Sequence, residues 1–284
     1  KDLEIEISCT PGHDYDMPLS VDAILLTGST GFLGTHILSN LLLNTNANIY
    51  CLIRAKNQEL AEEKLKASME QYGLSHLDLS RVAILVGDIS KPYLGMDKDQ
   101  IENLATIIDL IYHCASEVNH VYSYDMLREA NVLSTIQLLQ MACQTKIKKI
   151  HYISTIDTVS TAQELFDSEC ASSDNCQIEN GYIQTKWVCE KILEKNNIPF
   201  SIFRPGNITG HSKSGVCNPY KNHALSFLKG CIQLGAAPDF NMQIEMTPVD
   251  IVSMAIVKLS LSDLGSKRSY FNLQNSSSIC FKKY

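Results

Sequence analysis

Fourteen residues near the start of the chain restrict its fold more than any others. The apolar run Val21-Asp-Ala-Ile-Leu-Leu-Thr27 is followed at once by Gly28-Ser-Thr-Gly31-Phe-Leu-Gly34. A short apolar run that ends in glycines reads as a buried strand, and residues 33–44 then read as a helix. The spacing is G-x-x-G-x-x-G at a strand-to-helix turn. The first glycine permits the tight turn, the second lets backbone approach a pyrophosphate, and the third lets the helix pack close to the strand. The helix N-terminus then offers free N–H groups and the positive end of a dipole to phosphates.

The rest of the chain repeats the pattern. Strands are expected at 48–54, 81–86, 110–113, 149–154 and 199–204, and helices at 57–72, 122–145 and 180–196. Strand alternating with helix predicts an α/β fold, a Rossmann-type doubly wound parallel sheet with helices on both faces. Such a sheet binds ligands outside the carboxyl ends of its strands. The expected division is an extended lead-in or linker over 1–20, a cofactor-binding Rossmann domain over 21–206, and a substrate-side region over 207–284, interleaved with the Rossmann domain, where the alternation fades. No internal repeat or low-complexity tract is evident.

Composition narrows the function classes. A net charge of −7 makes the chain a poor general binder of nucleic acid. No apolar run approaches the roughly 20 residues of a membrane span, and the first twenty residues lack the pattern of a signal peptide. The 10 cysteines include no C-x-x-C, so they read as free buried thiols in a reducing, cytoplasmic setting rather than as a metal site. Cys170 and Cys176 form a pair in a polar stretch.

The second strand ends at Leu52-Ile-Arg54, with no carboxylate before Glu59. An acid at this position favours NAD, whereas an arginine suits a 2′-phosphate. Arg54, with Lys64 in the following helix, therefore points to NADP(H). Asp88, after the third strand, is placed either to contact the adenine or to cap a turn.

Tyr182-Ile-Gln-Thr-Lys186 puts a phenol and an ammonium on one helix face. The expectation is that Lys186 and the oxidised nicotinamide favour the phenolate, so that Tyr182 serves as acid in carbonyl reduction and as base in reverse. Lys186 would also hold the nicotinamide ribose. Ser154-Thr155 closes the fifth strand. Thr155 is expected to hydrogen-bond the substrate carbonyl, with Ser154 its rival for that role, because strand periodicity aims only one of the two at the cleft. Asn131 is expected to support Lys186 through a water or a backbone group, and His113 and His120 read as structural. The catalytic candidates are thus Thr155, Tyr182 and Lys186.

These residues, with Leu26-Thr-Gly-Ser-Thr-Gly-Phe-Leu-Gly34, Tyr50-Cys-Leu-Ile-Arg-Ala55, Tyr72-Gly-Leu74, Gly87-Asp-Ile-Ser90, Ile111-Tyr-His113, Val118-Asn119, Asn131-Val132, His151-Tyr-Ile-Ser-Thr155, Arg204-Pro-Gly206 and Pro248-Val-Asp250, run in order across roughly 20–250. In them the chain resembles the thioester reductase domains that end nonribosomal peptide synthetases, carboxylic acid reductases and aminoadipate reductases, a branch of the extended short-chain dehydrogenase/reductases. Fatty acyl-CoA reductases are more distant. Two departures stand out: Cys114-Ala-Ser116 where the family commonly has Asn-Gly-Ala, and Ser134 where glycine is frequent. Similar domains also continue past residue 284 with a largely helical substrate lid. The resemblance implies NADPH-dependent release of an acyl or peptidyl thioester, held on the phosphopantetheine arm of a carrier protein, as an aldehyde or on to the alcohol. The segment Asp2-Leu-Glu-Ile-Glu-Ile7 would then join an upstream carrier domain. The cofactor-binding set is Gly28, Ser29, Thr30, Gly31, Phe32, Leu33, Gly34, Arg54, Lys64, Asp88, Ile89, Ser116, Tyr182, Lys186, Pro205, Gly206 and Ile208, with no metal.

Two other readings compete. An NAD(P)-dependent epimerase, dehydratase or other carbonyl reductase of the same extended fold keeps Thr/Ser, Tyr and Lys. Arg54 argues against the epimerase, which recycles a held NAD. A non-catalytic NADP(H)-binding regulatory protein is opposed by retention of all three catalytic residues.

Overall fold

The computed structural model describes residues 1–7, 15, 20–159, 180–196, 198–218, 222–238 and 243–280. Its centre is a seven-stranded sheet with every pairing parallel. The strands are β1 (Ala23–Thr27), β2 (Asn48–Ile53), β3 (Val82–Val86), β4 (Leu110–His113), β5 (Lys149–Ile153), β6 (Phe200–Pro205) and, far along the chain, β10 (Arg268–Leu273). Their order across the sheet is β10-β6-β5-β4-β1-β2-β3. This is the expected α/β Rossmann sheet, with the reversal of winding between β1 and β4 that opens a ligand crevice at the strands' carboxyl ends.

Strands buried on both faces must be apolar almost throughout. β1 (Ala-Ile-Leu-Leu-Thr) is buried at all five positions, and β5 and β6 are likewise buried end to end. One apolar layer packs Leu25, Ile111, Tyr152, Ile192, Phe200 and Ile202 on one side of the sheet. A second packs Ile24, Leu26, Ile37, Leu41, Tyr112, Phe203 and Ile256 on the other. The helices on these faces include α1 (Phe32–Asn44), α2 (Gln58–Gln71), α3 (Lys98–Ile107), α4 (Tyr124–Arg128), α5 (Ser134–Ala142) and α6 (Gly181–Lys195).

Several expectations change. The helix expected over 122–145 is α4, a π-turn over Glu129–Leu133, and α5, which stops at Ala142. Within 207–284, α7 (His223–Leu234) and the two-residue pairing of β7 (Ile208–Thr209) with β9 (Thr247–Pro248) lie outside the main sheet, as does the antiparallel pair β8 (Gln243–Glu245) and β11 (Ser278–Cys280). The same stretch also supplies α8 (Val249–Ser262), whose Val252, Ile256 and Val257 join the second layer, and β10, which pairs with β6. In the lead-in, Asp2–Glu4 forms a 3-10 turn rather than extended chain. The Asp2 carboxylate accepts from Arg128 Nε and Nη2 at 2.7 and 2.5 Å and from the Tyr124 hydroxyl at 2.5 Å. Asn196 holds the Ile7 amide at 2.6 Å.

Cys51, Cys114, Cys189, Cys217 and Cys231 are free thiols, but Cys143 is disulfide-bonded, which corrects the reading of the cysteines as uniformly free. The pair Cys170 and Cys176 lies outside the described residues. Among the described residues no helix is long and apolar enough to cross a membrane.

Candidate active site

The glycine loop connects β1 to α1 in the expected place. Gly28 has φ +81°, and a Cβ there would lie 2.7 Å from the Ala115 nitrogen in the loop after β4. At Gly34 a Cβ would stand 1.9 Å from the Gly28 carbonyl oxygen. Both positions exclude any larger residue, the first by conformation as well as space. Helix α1 starts with Gly31 at its N-cap and no side chain capping it, which leaves its first N–H groups for an anion. Ser29 is buried, Thr30 half-buried and Gly31 exposed. Phe32 packs its ring on His36 and Tyr72, and Leu33 joins the second apolar layer.

A depression of about 570 Å³ opens beyond β2, lined by Arg54, Ala55, Lys56, Leu60, Glu63, Lys64 and Ala67. Arg54, Lys56 and Lys64 are exposed there, and Lys64 Nζ donates to the Arg54 carbonyl at 2.6 Å. Three cations against one carboxylate fit a phosphate ester better than a bare ribose. The cradle at Gly28 and Gly34 fits a pyrophosphate, so the residues present suit a dinucleotide.

Asp88 Oδ1 accepts from the Ser90 amide at 3.0 Å and from its hydroxyl at 2.8 Å, so this carboxylate caps the turn after β3. Ile89, beside it, packs on the first apolar layer. Pro205 ends β6, Gly206 donates its amide to the Leu273 carbonyl at 2.9 Å, and Ile208 leans on the second layer. The Gly206 turn is closed from behind by Glu245, a residue without a motif, which accepts from the Asn207 amide at 2.7 Å and the Asn275 amide at 2.8 Å.

Tyr182 stands in the first turn of α6. Asn180 caps that helix by accepting from the Tyr182 and Ile183 amides at 2.9 and 3.2 Å. Burial pushes the Tyr182 phenol up to about 12, a hydrogen bond from Ser116 opposes the shift, and the charge of nearby Asp157 adds to it. The expected bias toward phenolate is therefore reversed in the protein alone. Lys186 Nζ lies 5.8 Å from the Tyr182 ring centre and donates instead to the Ile153 carbonyl at 2.7 Å, with the Tyr152 ring 4.9 Å away. Its own burial pulls Lys186 below the ordinary lysine range.

Ser154 and Thr155 part company. Ser154 is buried and its hydroxyl donates to Glu190. Thr155 is half-buried at the start of a 3-10 turn over Ile156–Thr158, its Oγ1 within 3.1 Å of Asp157 Oδ2. Asn131, in the π-turn, donates from Nδ2 to the Glu117 carbonyl at 3.0 Å and to Thr185 Oγ1 at 3.1 Å, one residue before Lys186. π-turns often mark functional positions in helices, and this one ties the loop after β4 to α6. His113 is fully occupied, one ring nitrogen 2.8 Å from Thr27 Oγ1 and the other 3.1 Å from Thr135 Oγ1, and burial drives it down to about 3. His120, read as structural, is exposed and stands edge-on to the Tyr182 ring at 5.5 Å.

A Rossmann sheet of this order, a glycine cradle and a Tyr-x-x-x-Lys helix beside a strand-end threonine define an oxidoreductase of the short-chain dehydrogenase/reductase class. Within that class, residues 26–256 match the NAD-binding family described as Male sterility protein, and the chain belongs to that family. It is 37% identical over 291 residues to one of the subunits of linear gramicidin synthase from Brevibacillus parabrevis, covering 97% of this chain and 6% of that protein. It is 32% identical over 261 residues to L-2-aminoadipate reductase of Saccharomyces cerevisiae, covering 84% and 19%. The chain thus spans a small part of the curated relatives it matches. Among solved structures, the terminal R domain of the myxalamid PKS-NRPS pathway superposes with a TM-score of 0.84 at 34% identity, over 96% of this chain and 70% of that one. The thiolation-reductase di-domain of an archaeal nonribosomal peptide synthetase gives 0.75 at 27%, over 92% and 58%.

Proposed function

We propose that this chain reduces an acyl or peptidyl thioester, held on the phosphopantetheine arm of a carrier protein, and releases it as an aldehyde with NADPH as the reductant. The observation that carries the reading is the Tyr182–Lys186 pair on α6 beside the Thr155 turn. The reductase relatives support thioester release, and the cationic depression at Arg54, Lys56 and Lys64 supports a 2′-phosphorylated cofactor. Arg54 and Lys64 would hold that phosphate, the α1 N-terminus the pyrophosphate, and Lys186 the nicotinamide ribose. When bound, NADPH supplies the hydride.

The chain's own residues handle the oxygen and the proton. Thr155 donates a hydrogen bond to the thioester oxygen, which stabilises the negative charge that develops there. Tyr182, neutral because of its burial, gives its proton to that oxygen as the carbon is reduced, and the product of this step is a hemithioacetal. Cleavage of the carbon–sulfur bond then frees the aldehyde, and the thiol of the arm leaves with the hydroxyl proton. A tethered arm makes the encounter effectively intramolecular, so the pocket needs little intrinsic affinity for the acyl group.

The test is product analysis with an acyl-pantetheine thioester, with NADPH and NADH in parallel. Aldehyde or alcohol in step with NADPH loss is expected. Arg54→Ala should raise the KM for NADPH about 10- to 100-fold, the worth of one charge-assisted hydrogen bond, and leave NADH nearly unchanged. A wild-type preference for NADH would overturn the cofactor assignment and favour the epimerase-type reading.

A further inference from the structure

The helix that carries Tyr182 and Lys186 carries a third polar side chain in the same row. Side chains four apart on a helix stand one above the other, so positions 182, 186 and 190 of α6 share a stripe. Glu190 is fully buried, and so is its partner Arg204 on β6. Arg204 Nη2 lies 2.7 Å from Glu190 Oε2, and its Nε lies 3.1 and 3.2 Å from Oε1 and Oε2. The desolvation of two such charges roughly cancels their attraction, so this pair is weak evidence for stability alone.

The remaining acceptor capacity of Glu190 goes to the catalytic turn. Ser154 Oγ donates to Oε1, and Thr158 Oγ1 reaches the same oxygen at 3.0 Å. These two residues flank Thr155 on either side. Thr158 Oγ1 also lies 2.9 Å from the Thr155 carbonyl, its single proton shared between the two acceptors. Arg204 reaches this point because β5 and β6 pair with Ile153 opposite Phe203, and the Ser154 amide continues the ladder to the Phe203 carbonyl at 2.8 Å.

We propose that Glu190 and Arg204 are positioning residues: one carboxylate, fixed by the guanidinium fork, clamps both shoulders of the Thr155 turn to the helix that bears Tyr182 and Lys186. The three reacting side chains thereby keep one register, although Glu190 and Arg204 touch no substrate. The inference deepens the reductase reading and rests on it for its catalytic consequence.

Replacing Glu190 would strand the buried charge of Arg204 and endanger the fold, so the clamp is best cut from the other side. Thr158→Val, alone and with Ser154→Ala, removes the hydroxyls and spares the ion pair. Thr158→Ser restores the hydroxyl. Two readouts are taken on the NADPH-loaded protein: amide hydrogen exchange over 154–158, and kcat and KM for thioester reduction. The expected result is exchange over 154–158 faster by about tenfold in the double variant with α6 unchanged. The kcat should be lower by about tenfold or more with the KM for NADPH within about twofold, and Thr158→Ser near wild type. Unchanged exchange would overturn the clamp, and so would loosened exchange with undiminished kcat. If the wild type reduced no thioester, the exchange arm would still decide the clamp, and the failure would belong to the reductase reading.

Discussion

At the scale of single residues, the protonation state of Tyr182 decides whether it can donate the proton that carbonyl reduction needs. The phenol is buried, its pKa is raised to about 12, and Lys186 is turned to the Ile153 carbonyl. An acid is competent below its pKa, so Tyr182 stays able to donate throughout the neutral range. The kcat/KM for reduction, which reports the free enzyme, should therefore lose nothing on the alkaline side up to about pH 9. A fall centred near pH 7 in the reduction profile would show that the cofactor-free environment of Tyr182 is not the working one. The Tyr-Lys pair could be read from spacing because i and i+4 share a helix face whatever surrounds them. The sign of the tyrosine shift could not, since it depends on burial and on Ser116, 66 residues away in sequence. Glu190 escaped notice for a related reason: a glutamate near the end of a helix reads as solvated until Arg204 and the two hydroxyls are seen around it.

Among the elements, the six strands named from sequence share a cause. Parallel strands with both faces covered are apolar runs, and five of the six end in glycine, serine or charge at the crevice, while β4 runs into Cys114. β10 lacked that signal. Its Arg-Ser-Tyr-Phe-Asn-Leu reads as mixed, whereas β3, at the other edge of the sheet and also half-buried, is the apolar run Val-Ala-Ile-Leu-Val. α8 follows Pro248 with no capping side chain, so it gave no start signal. The π-turn at Asn131 has no composition of its own and follows from what its side chains must reach. The lead-in belongs to this scale too. Arg128 and Tyr124 hold the Asp2 carboxyl down at about 2. A depressed carboxylate stabilises above its ordinary value of 3.8 and loses that contribution as pH falls from there through about 2. Residues 1–7 should therefore become protease-sensitive across that window before the core unfolds. Asp2→Asn should release them at neutral pH at a cost of about 1–3 kcal/mol in stability. Protection of the segment at neutral pH in that variant would mean that Ile5, Ile7 and Asn196 suffice to dock it.

At the scale of the whole molecule, the sheet brings together groups that are far apart in sequence. The glycine loop follows β1, the cations follow β2, the Thr155 turn follows β5, and the Tyr-Lys helix leads into β6. The parallel strands bring all of these groups to the carboxyl-end side of the sheet, where the winding reverses between β1 and β4, which is why order along the chain sufficed to predict that they share one face. Within 207–248 the strands β7, β8 and β9 were less legible because each is only two or three residues long. The most direct test of the account is a single turnover of an acyl-loaded carrier protein by NADPH-saturated wild type and Tyr182→Phe. The phenylalanine variant should bind NADPH with unchanged affinity and transfer hydride about 10²- to 10⁴-fold more slowly, the worth of one positioned acid. Equal rates in the two proteins would contradict the assignment of Tyr182 as the proton donor and, with it, the reductase site described.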